Sequence, residues 1–546
     1  MKPLVSEGIR DEYDVVVVGS GVGGMIAALV AAEAGRSVLV LEKSGQLGGT
    51  SAVSAGTIWI PVNPDMIAAG IDDDDATVID YLREVVGESE LIRSFVEHAR
   101  EMLAYVREAT EIDLAPALNY PDYKSLVPGS KPGGRSMQPG IYDTRRLGEL
   151  AGLLRRDETV LPYTMREFKE WGSWNAFPWD MLRERAEQGI VARGAALVGP
   201  VLEAALAKGV HIVTDARAED LITADGGRVS GVRVGEREIT ARGGVVLACG
   251  GFEWNEELMA QYLDHKIPIR CSPPHNTGDG HLMAERAGAA LGNMNEVWWA
   301  PMAQIPGQLV DGQPVGRHLR AERQAPGVII VNLAGRRIVN EAQDYNSLIR
   351  SAIASTGDEP LRLFVLFDHR FFEKYGFLTY SVDDELPSWI VQAPTVHEVA
   401  EKLGVDGEAA EQTVRRFNEF ALTGIDEDFH RGETVYDQYG GDQTNPFPNS
   451  NLAPIEVGPF FGMEFLPGAF GTAGGVVTNG NAQALRPDGT VIPGLYALGN
   501  VSAGPLAKGY PGAGSTLGPA MTFGYVAGRH LATVDSAEAA AFSRSK

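Results

Sequence analysis

The sequence predicts an α/β fold in which both ends of the chain contribute to one parallel sheet and a second domain is inserted between them. One observation is a βαβ unit near the amino terminus, where two β-branched runs flank a stretch of small apolar residues. Similar strand-like runs recur far along the chain, at 210–216, 243–251 and 494–500. With 546 residues, the chain is also too long for a single core.

The elements of the βαβ unit follow one another without interruption. Residues 13–18 form a continuous apolar, β-branched run, which is typical of a strand that is buried on both faces of a parallel sheet. A Gly-rich turn follows at 19–24, and residues 25–35 are small and apolar, with Gly35 as a helix stop. The run at 36–43 then predicts the second strand.

The middle of the chain differs in its sequence pattern from the two ends. It contains a strand-like run at 327–332 and a helical pattern at 396–404. We therefore predict a Rossmann-like cofactor domain formed by residues 1–289 together with 455–546, and an inserted α+β substrate domain at 290–454.

Composition excludes several classes of partner. The net charge is −25, from 47 basic and 72 acidic side chains, so the chain lacks the cationic surplus with which proteins bind nucleic acids or anionic membranes. The only two cysteines, Cys249 and Cys271, cannot form a disulfide framework, and the ten histidines form no ligand cluster, so we expect a reducing environment and no metal. We find no secretory signal and no membrane span, and we expect a cytoplasmic protein.

The Gly-rich turn has the spacing of a dinucleotide-binding motif. Gly19, Gly21 and Gly24 form G-x-G-x-x-G between the strand and the helix, and Glu42 follows eighteen positions after the last glycine. Gly19 permits the tight turn, Gly21 lets the backbone approach a pyrophosphate, and Gly24 lets the helix pack closely on the strand. Glu42 can accept hydrogen bonds from ribose hydroxyls.

Further motifs indicate which dinucleotide is bound. The second Gly- and hydroxyl-rich loop at 42–60, with NTGDG at 276–280 and GLYALGN at 494–500, resembles the fumarate-reductase/succinate-dehydrogenase superfamily of FAD flavoproteins. Some members attach the flavin to a histidine of the second loop, but 42–60 contains none, so we expect non-covalent FAD. The resemblance implies that the cofactor is bound by Gly19, Ser20, Gly21, Gly23, Gly24, Glu42, Lys43, Ser44, Gly48, Gly49, Thr50, Ser51, Ala218, Asp279, Gly499, Asn500 and Leu517.

Within that superfamily, the carboxyl-terminal segment is the most informative. Residues 508–528 lack the H-G-x-N-R element with which fumarate reductases bind a dicarboxylate. Their YPGAG and GPAMTFGY sequences instead resemble the 3-ketosteroid Δ1-dehydrogenases, as do the stretches at 120–137, 275–299 and 329–345. Residues 501–509 depart from that family, because many members carry a methionine-glycine pair before the Tyr-Pro.

The resemblance assigns roles to individual residues. Tyr510 and the backbone N–H of Gly514 correspond to the donors that bind the ketone oxygen. Tyr345 corresponds to the tyrosine that removes the α-proton, and Tyr123 to the tyrosine that supports it. Two further residues are expected to line the substrate pocket, namely Tyr120 and Pro511.

The chemistry of such a reaction explains why these groups are needed. Removal of an α-proton places negative charge on the ketone oxygen, and one well-placed donor there contributes about 3 kcal/mol to transition-state stabilisation. Ionising a tyrosine base of ordinary pKa at pH 7 costs about 4 kcal/mol. A donor such as Tyr123 could lower this cost, so we expect activity to rise above neutral pH.

The sequence thus predicts an FAD-dependent dehydrogenase that inserts a 1,2-double bond beside the ketone of a 3-ketosteroid, as in steroid degradation. Its partners would be an apolar ketone and an external electron acceptor. Three alternatives remain open at this stage: the same reaction on a smaller cyclic ketone, a flavin-dependent enoate reductase, and a non-catalytic carrier with a flavoprotein fold.

Overall fold

The computed structural model describes residues 9–157, 161–171, 177–356 and 361–534. The fold combines α-helices with two large β-sheets, which confirms the predicted fold class. The α-helices are Val22–Glu33, Gly49–Val53, Pro64–Ala68, Asp75–Val86, Glu90–Thr110, Met165–Trp171, Trp179–Glu187, Arg193–Ala207, Glu256–Tyr262, Asp279–Arg286, Ala321–Gln324, Tyr345–Thr356, His369–Tyr375, Val396–Lys402, Gly407–Thr423, Val435–Gly440 and Leu517–Thr533. Short 3₁₀ segments lie at Thr144–Gly152, Asp225–Gly227 and Gly499–Val501.

The first sheet is assembled from both ends of the chain, as predicted. Its central strand, Glu12–Val18, pairs in parallel with Val38–Leu41 on one side and with Arg237–Leu247 on the other. His211–Val213 continues the parallel sheet beyond Val38–Leu41, and Val491–Ala497 continues it beyond Arg237–Leu247. Three antiparallel strands complete the eight strands found among the described residues, namely Asp220–Thr223, Val229–Val234 and Gln483–Leu485.

The first and last helices pack against each other on one face of this sheet. They meet backbone to backbone, because a Cβ atom on Gly524 would lie 2.2 Å from the carbonyl oxygen of Gly23. The small residues of Val22–Glu33 are therefore required by contact with Leu517–Thr533 as well as by the sheet.

The second sheet is built around the long strand Phe460–Thr472. This strand pairs directly with Val297–Val310 and Leu363–Asp368, which carry the outer strands Gln313–His318 and Val328–Val331. Two short strands also pair with it, namely Ile269–Arg270 and Val391–Ala393. Smaller pairings involve Ile58–Trp59, Leu114–Pro116, Ser136–Pro139, Tyr142–Asp143, Ile190–Val191, Leu291–Gly292 and Gly475–Val476.

The second sheet extends beyond the segment that we expected to form the inserted domain. Its central strand, Phe460–Thr472, follows residue 454, and Ile269–Arg270 precedes residue 290. The division at 290–454 therefore stays a prediction, and the sheet itself favours wider limits.

The fold brings the predicted cofactor loops to one edge of the first sheet. Gly19, Glu42, Ala248 and Gly499 follow the carboxyl ends of four parallel strands, which is where open α/β sheets bind their ligands. Among the helices that the structure describes, none is long and apolar enough to cross a bilayer.

Candidate active site

The three motif glycines serve different purposes in the first turn. Gly19 has φ of +105°, and a Cβ atom there would lie 2.4 Å from the carbonyl oxygen of Ala248. A Cβ atom on Gly24 would lie 2.7 Å from the Gly19 carbonyl oxygen. At Gly21, by contrast, the nearest atom to an added Cβ is Ser51 Oγ at 3.5 Å, an ordinary contact. Protein packing does not require Gly21, so the turn keeps room for a ligand at its backbone.

Glu42 ties the first turn to the second loop. Its carboxylate accepts hydrogen bonds from Ser20 N–H at 3.2 Å, from Ser20 Oγ at 2.7 Å and from Ser44 N–H at 2.9 Å. Ser20 Oγ in turn accepts from the N–H of Gly48 at 2.9 Å. The predicted ribose acceptor is thus buried and held in a fixed orientation at the end of its strand.

The second loop forms a short helix that faces the first turn. Gly48 precedes Gly49–Val53 with φ of +101°, and Ser51 Oγ accepts from the N–H of Val22 at 3.2 Å. Thr50 Oγ1 accepts from Asn276 Nδ2 at 3.0 Å, which connects this loop to the NTGDG segment. Side-chain hydrogen bonds therefore join the two glycine loops and the NTGDG segment.

A salt-bridge cluster lies beside these loops. Lys43 Nζ is 3.0 Å from Asp279 Oδ2, and Arg217 is 2.8 Å from Asp279 Oδ1. Burial alone would raise the pKa of Asp279, but Arg217 and Lys43 together hold it below its usual value. The remaining predicted cofactor residues lie on neighbouring elements. Ala218 is buried and follows Arg217 in the chain, Gly23 is in the first helix, and Leu517 begins the last helix. Asn500 follows Gly499, and its Oδ1 accepts a hydrogen bond from Trp298 at 3.3 Å.

Three predicted tyrosines form a chain of hydroxyl contacts. The hydroxyl oxygens of Tyr120 and Tyr123 are 3.1 Å apart, and the Tyr123 hydroxyl donates to that of Tyr345 at 3.3 Å. Tyr345 is the first residue of helix Tyr345–Thr356, and all three rings are buried. Residues that are more than two hundred positions apart in sequence thus meet in one cluster.

Tyr510 completes this cluster from the carboxyl-terminal segment. Its ring stacks on Tyr123 at a centroid distance of 5.5 Å and meets the edge of Tyr345 at 5.1 Å. The carbonyl oxygen of Pro511 accepts from Tyr123 N–H at 2.8 Å and from the Tyr81 hydroxyl at 2.7 Å. These contacts fix the loop that carries Tyr510 against the loop that carries Tyr123.

Gly514 can only be a glycine. Its φ is +96°, and an added Cβ would lie 2.4 Å from the backbone carbon of Ile58. Its carbonyl oxygen accepts from Trp59 N–H at 3.2 Å, whereas its own N–H donates to no acceptor within the part of the chain that the structure describes. The loop therefore presents one free backbone donor near Tyr510.

Burial controls the ionisation of the tyrosines. It raises the pKa of Tyr345 well above its usual value, and Tyr510 adds to the increase, while the hydrogen bond from Tyr123 acts in the opposite direction. Burial also raises the pKa of Tyr123 well above the usual value and that of Tyr510 to about 12. At neutral pH, both Tyr123 and Tyr510 are therefore held as neutral hydrogen-bond donors.

Similarity to known proteins identifies the family. Residues 14–517 match the family model of the FAD binding domain. The chain belongs to this family of FAD flavoproteins. FAD is accordingly its cofactor, and the space at Gly21 together with the buried carboxylate of Glu42 fits such a dinucleotide.

Similar proteins include dehydrogenases that are named for ring ketones. This flavoprotein is 45% identical to the 4-oxocyclohexanecarboxylate 2-dehydrogenase of Sinomonas cyclohexanicum, over 96% of this chain and 93% of that protein. It is 38% identical to the 3-oxosteroid 1-dehydrogenase of Mycobacterium tuberculosis, over 95% of this chain and 98% of that protein. The solved 3-ketosteroid Δ1-dehydrogenase of Sterolibacterium denitrificans superposes with a TM-score of 0.89 at 34% identity, covering 96% of this chain and all of that one.

These similarities confirm the resemblance that the motifs predicted. The flavoprotein is an FAD-dependent dehydrogenase, an oxidoreductase that acts on CH–CH bonds.

Sequence motifs did not select several residues around the tyrosines. Trp298 meets Tyr510 edge-on at 5.3 Å, and His318 meets Tyr345 edge-on at 5.0 Å. The other neighbours that were missed are Tyr436, Tyr439, Phe470 and Arg320.

Proposed function

We propose that this flavoprotein inserts a carbon–carbon double bond next to the carbonyl group of a six-membered ring ketone. The observation that carries the proposal is the contact between Tyr345 and Tyr510, whose rings meet at 5.1 Å while Tyr123 donates to the hydroxyl of Tyr345. One buried site thus combines a group that can take a proton with groups that can hold the oxygen of the resulting enolate.

The ketone oxygen is bound by Tyr510 and Gly514. A neutral Tyr510 hydroxyl and the free N–H of Gly514 are two donors on one short loop, and neither carries a positive charge. Donors aimed at an oxygen that gains negative charge stabilise the transition state more than the ground state. They also polarise the ketone, which makes the adjacent C–H bond more acidic.

Tyr345 takes the α-proton. The phenolate oxygen of Tyr345 takes the proton, the α-C–H electrons form the new double bond, and a hydride leaves the β-carbon. When bound, FAD supplies the two-electron acceptor for that hydride. Tyr123 donates to Tyr345 and so stabilises the phenolate form that must precede proton transfer.

The ring is proposed to be a cyclohexanone rather than a steroid. The support is the 45% identity to a dehydrogenase named for 4-oxocyclohexanecarboxylate. A 3-ketosteroid is the second candidate, supported by the TM-score of 0.89 to a 3-ketosteroid Δ1-dehydrogenase solved with 1,4-androstadiene-3,17-dione. The reaction at the ketone is the same for both substrates. The two candidates differ in the residues that would contact the part of the substrate far from the ketone.

Anaerobic reduction of the flavin tests this proposal. The purified flavoprotein is mixed with 4-oxocyclohexanecarboxylate, with 4-methylcyclohexanone and with androst-4-ene-3,17-dione, and loss of flavin absorbance is followed in a stopped-flow instrument. We expect reduction by the cyclohexanones, with formation of the conjugated enone. If no ring ketone reduces the flavin, the proposal is wrong. Turnover only with an enone and a reduced donor would instead favour a reductase.

A further inference from the structure

An arginine that forms no ion pair with any described residue lies at the outer end of the tyrosine cluster. Arg320 directly precedes the short helix Ala321–Gln324, and its guanidinium carbon is 5.2 Å from the centroid of the Tyr120 ring. Its backbone N–H donates to Glu322 at 3.0 Å. Its side chain has no carboxylate within 4 Å and no hydrogen-bond acceptor among the residues that the structure describes.

Two buried arginines of this domain pair with carboxylates, and a third, Arg323, donates to backbone carbonyl oxygens. Arg337 contacts both Glu341 and Asp426 at 2.7 Å, and Arg431 contacts Glu341 at 3.1 Å. The chain has far more acidic than basic side chains, so an unpaired cation is not explained by a shortage of carboxylates. An arginine that is left without a partner beside a buried site is therefore available to an anionic ligand.

A second cation, Lys169, contacts the tyrosine that stacks on Tyr120. Its ammonium nitrogen lies 4.2 Å from the centroid of the Tyr439 ring and donates to the Tyr439 carbonyl oxygen at 3.0 Å. Tyr439 stacks on Tyr120 at 4.7 Å with an angle of 16° between the rings. Partial burial and the charge of Arg320 both lower the pKa of Lys169. Two like charges thus face one stacked tyrosine pair, which costs free energy until an anion joins them.

The stacked pair connects these cations to the reacting groups. The Tyr120 hydroxyl contacts that of Tyr123, which donates to Tyr345, and the Tyr123 ring lies on Tyr510. The donors for the ketone are therefore on one side of the tyrosine cluster and Arg320 is on the other. A cyclohexanone with a carboxylate on the carbon opposite the ketone likewise carries its two polar groups at opposite ends.

We propose that Arg320 binds a carboxylate carried by the substrate ring on the side opposite the ketone. This inference rests on the proposed desaturation of a ring ketone and narrows its substrate class to anionic, carboxylated cyclohexanones. The planar guanidinium offers two parallel N–H donors to a carboxylate. An uncharged steroid would offer Arg320 no anionic partner, and is therefore disfavoured.

The test compares an acid with its uncharged ester. Stopped-flow reduction of the flavin is measured against the concentration of 4-oxocyclohexanecarboxylate and of its methyl ester, for the wild type and for Arg320→Gln. We expect the variant to weaken binding of the acid by about tenfold to a hundredfold, and to leave binding of the ester within about twofold. Arg320→Lys keeps the positive charge but lacks the paired N–H donors of a guanidinium. It should therefore recover part of the lost affinity for the acid.

The control is a charge removal elsewhere on the same domain. Arg336 is exposed in the turn after Val328–Val331 and has no ion pair among the described residues, so Arg336→Gln should bind the acid as the wild type does. Flavin absorbance and melting temperature report whether each variant is folded. Equal changes for acid and ester in Arg320→Gln, or no change for either, would overturn the assignment of Arg320.

Failure of the underlying reaction would look different. If the wild type is not reduced by either ketone, the proposed function is wrong. Perturbation of the oxidised flavin spectrum still measures binding of the acid in that case. Weaker binding of the acid to Arg320→Gln than to the wild type would then support the carboxylate site alone, and equal binding would exclude it.

Discussion

The hydroxyl group of Tyr123 donates a hydrogen bond to the hydroxyl oxygen of Tyr345 at 3.3 Å. The direction of this bond matters, because a donor stabilises the phenolate of Tyr345 and does not compete for its proton. Tyr123 has its own partner in Tyr120, and all three side chains are buried. The cluster therefore holds the base in one orientation and supplies the donor that its charged form needs.

Loss of the Tyr345 hydroxyl should stop chemistry without loss of the cofactor. We expect Tyr345→Phe to slow flavin reduction by about 10²- to 10⁴-fold, the usual contribution of a positioned base, while the protein stays yellow. Tyr380→Phe is the matched control, because Tyr380 packs on Trp389 in another part of the fold. Comparable rates of flavin reduction for the two variants would exclude Tyr345 as the base.

Gly514 should tolerate no side chain. Gly514→Ala combines a left-handed backbone with a Cβ atom 2.4 Å from Ile58, whereas Gly489 has a similar φ of +83° and nothing within 4 Å of an added Cβ. Gly489→Ala should cost about 1 kcal/mol of stability. We expect Gly514→Ala to cost clearly more and to abolish flavin reduction. Equal melting temperatures for the two variants would show that the Gly514 loop adapts without strain.

The rate of flavin reduction should increase with pH through the neutral range. Burial raises the pKa of Tyr345 well above its usual value, so only a small fraction is ionised near pH 7. Below that pKa, the ionised fraction of a base rises about tenfold per pH unit. A plot of log rate against pH should therefore climb without a plateau between about pH 7 and 9. A flat profile in that range for the chemical step would be incompatible with Tyr345 as the base.

Glu341 should be essential for stability. Its buried carboxylate accepts from Arg337 at 2.7 Å and from Arg431 at 3.1 Å, four residues before Tyr345. Burial alone would raise its pKa, but the two guanidinium groups hold it below the usual value. We expect Glu341→Gln to cost about 3–5 kcal/mol in urea unfolding, because buried Arg431 loses its carboxylate partner and Arg337 keeps only Asp426. The exposed pair of Arg416 and Asp428 is the control, and Asp428→Asn should cost less than about 1 kcal/mol.

The flavin should be released on denaturation. Residues 42–60 contain no histidine, so the attachment used by some relatives is not possible in this loop. After precipitation with acid, we expect all flavin absorbance in the supernatant. Yellow colour that stays with the precipitate would mean that another side chain forms a covalent bond, and mass spectrometry of its peptides would identify the residue.

The sequence predicted those parts of the fold that depend on local spacing. The turn Gly19, Gly21 and Gly24 could be assigned because each glycine has a distinct role within one βαβ unit. Tyr345 and Tyr510 could be selected because each lies in a family motif. Neither inference required knowledge of distant contacts.

Long-range pairing explains what the sequence did not predict. Phe460–Thr472 lies beyond the expected insertion, and its place in the second sheet depends on partners far along the chain. Arg320 lies in no motif, and only the three-dimensional arrangement places it over Tyr120 with no carboxylate partner among the described residues. A lone arginine in a sequence is usually a surface residue, so no pattern distinguished it.

The hydrogen bond from the N–H of Trp59 to the carbonyl oxygen of Gly514 has a consequence for the synthesis of this protein. It joins a strand that the ribosome makes early to a loop that is made several hundred residues later. The first helix is likewise covered only after Leu517–Thr533 has been made. The nascent chain must therefore keep its amino-terminal βαβ unit incomplete, with apolar surface exposed, until almost all of the chain has emerged. Apolar surface that stays exposed for so long favours aggregation during synthesis.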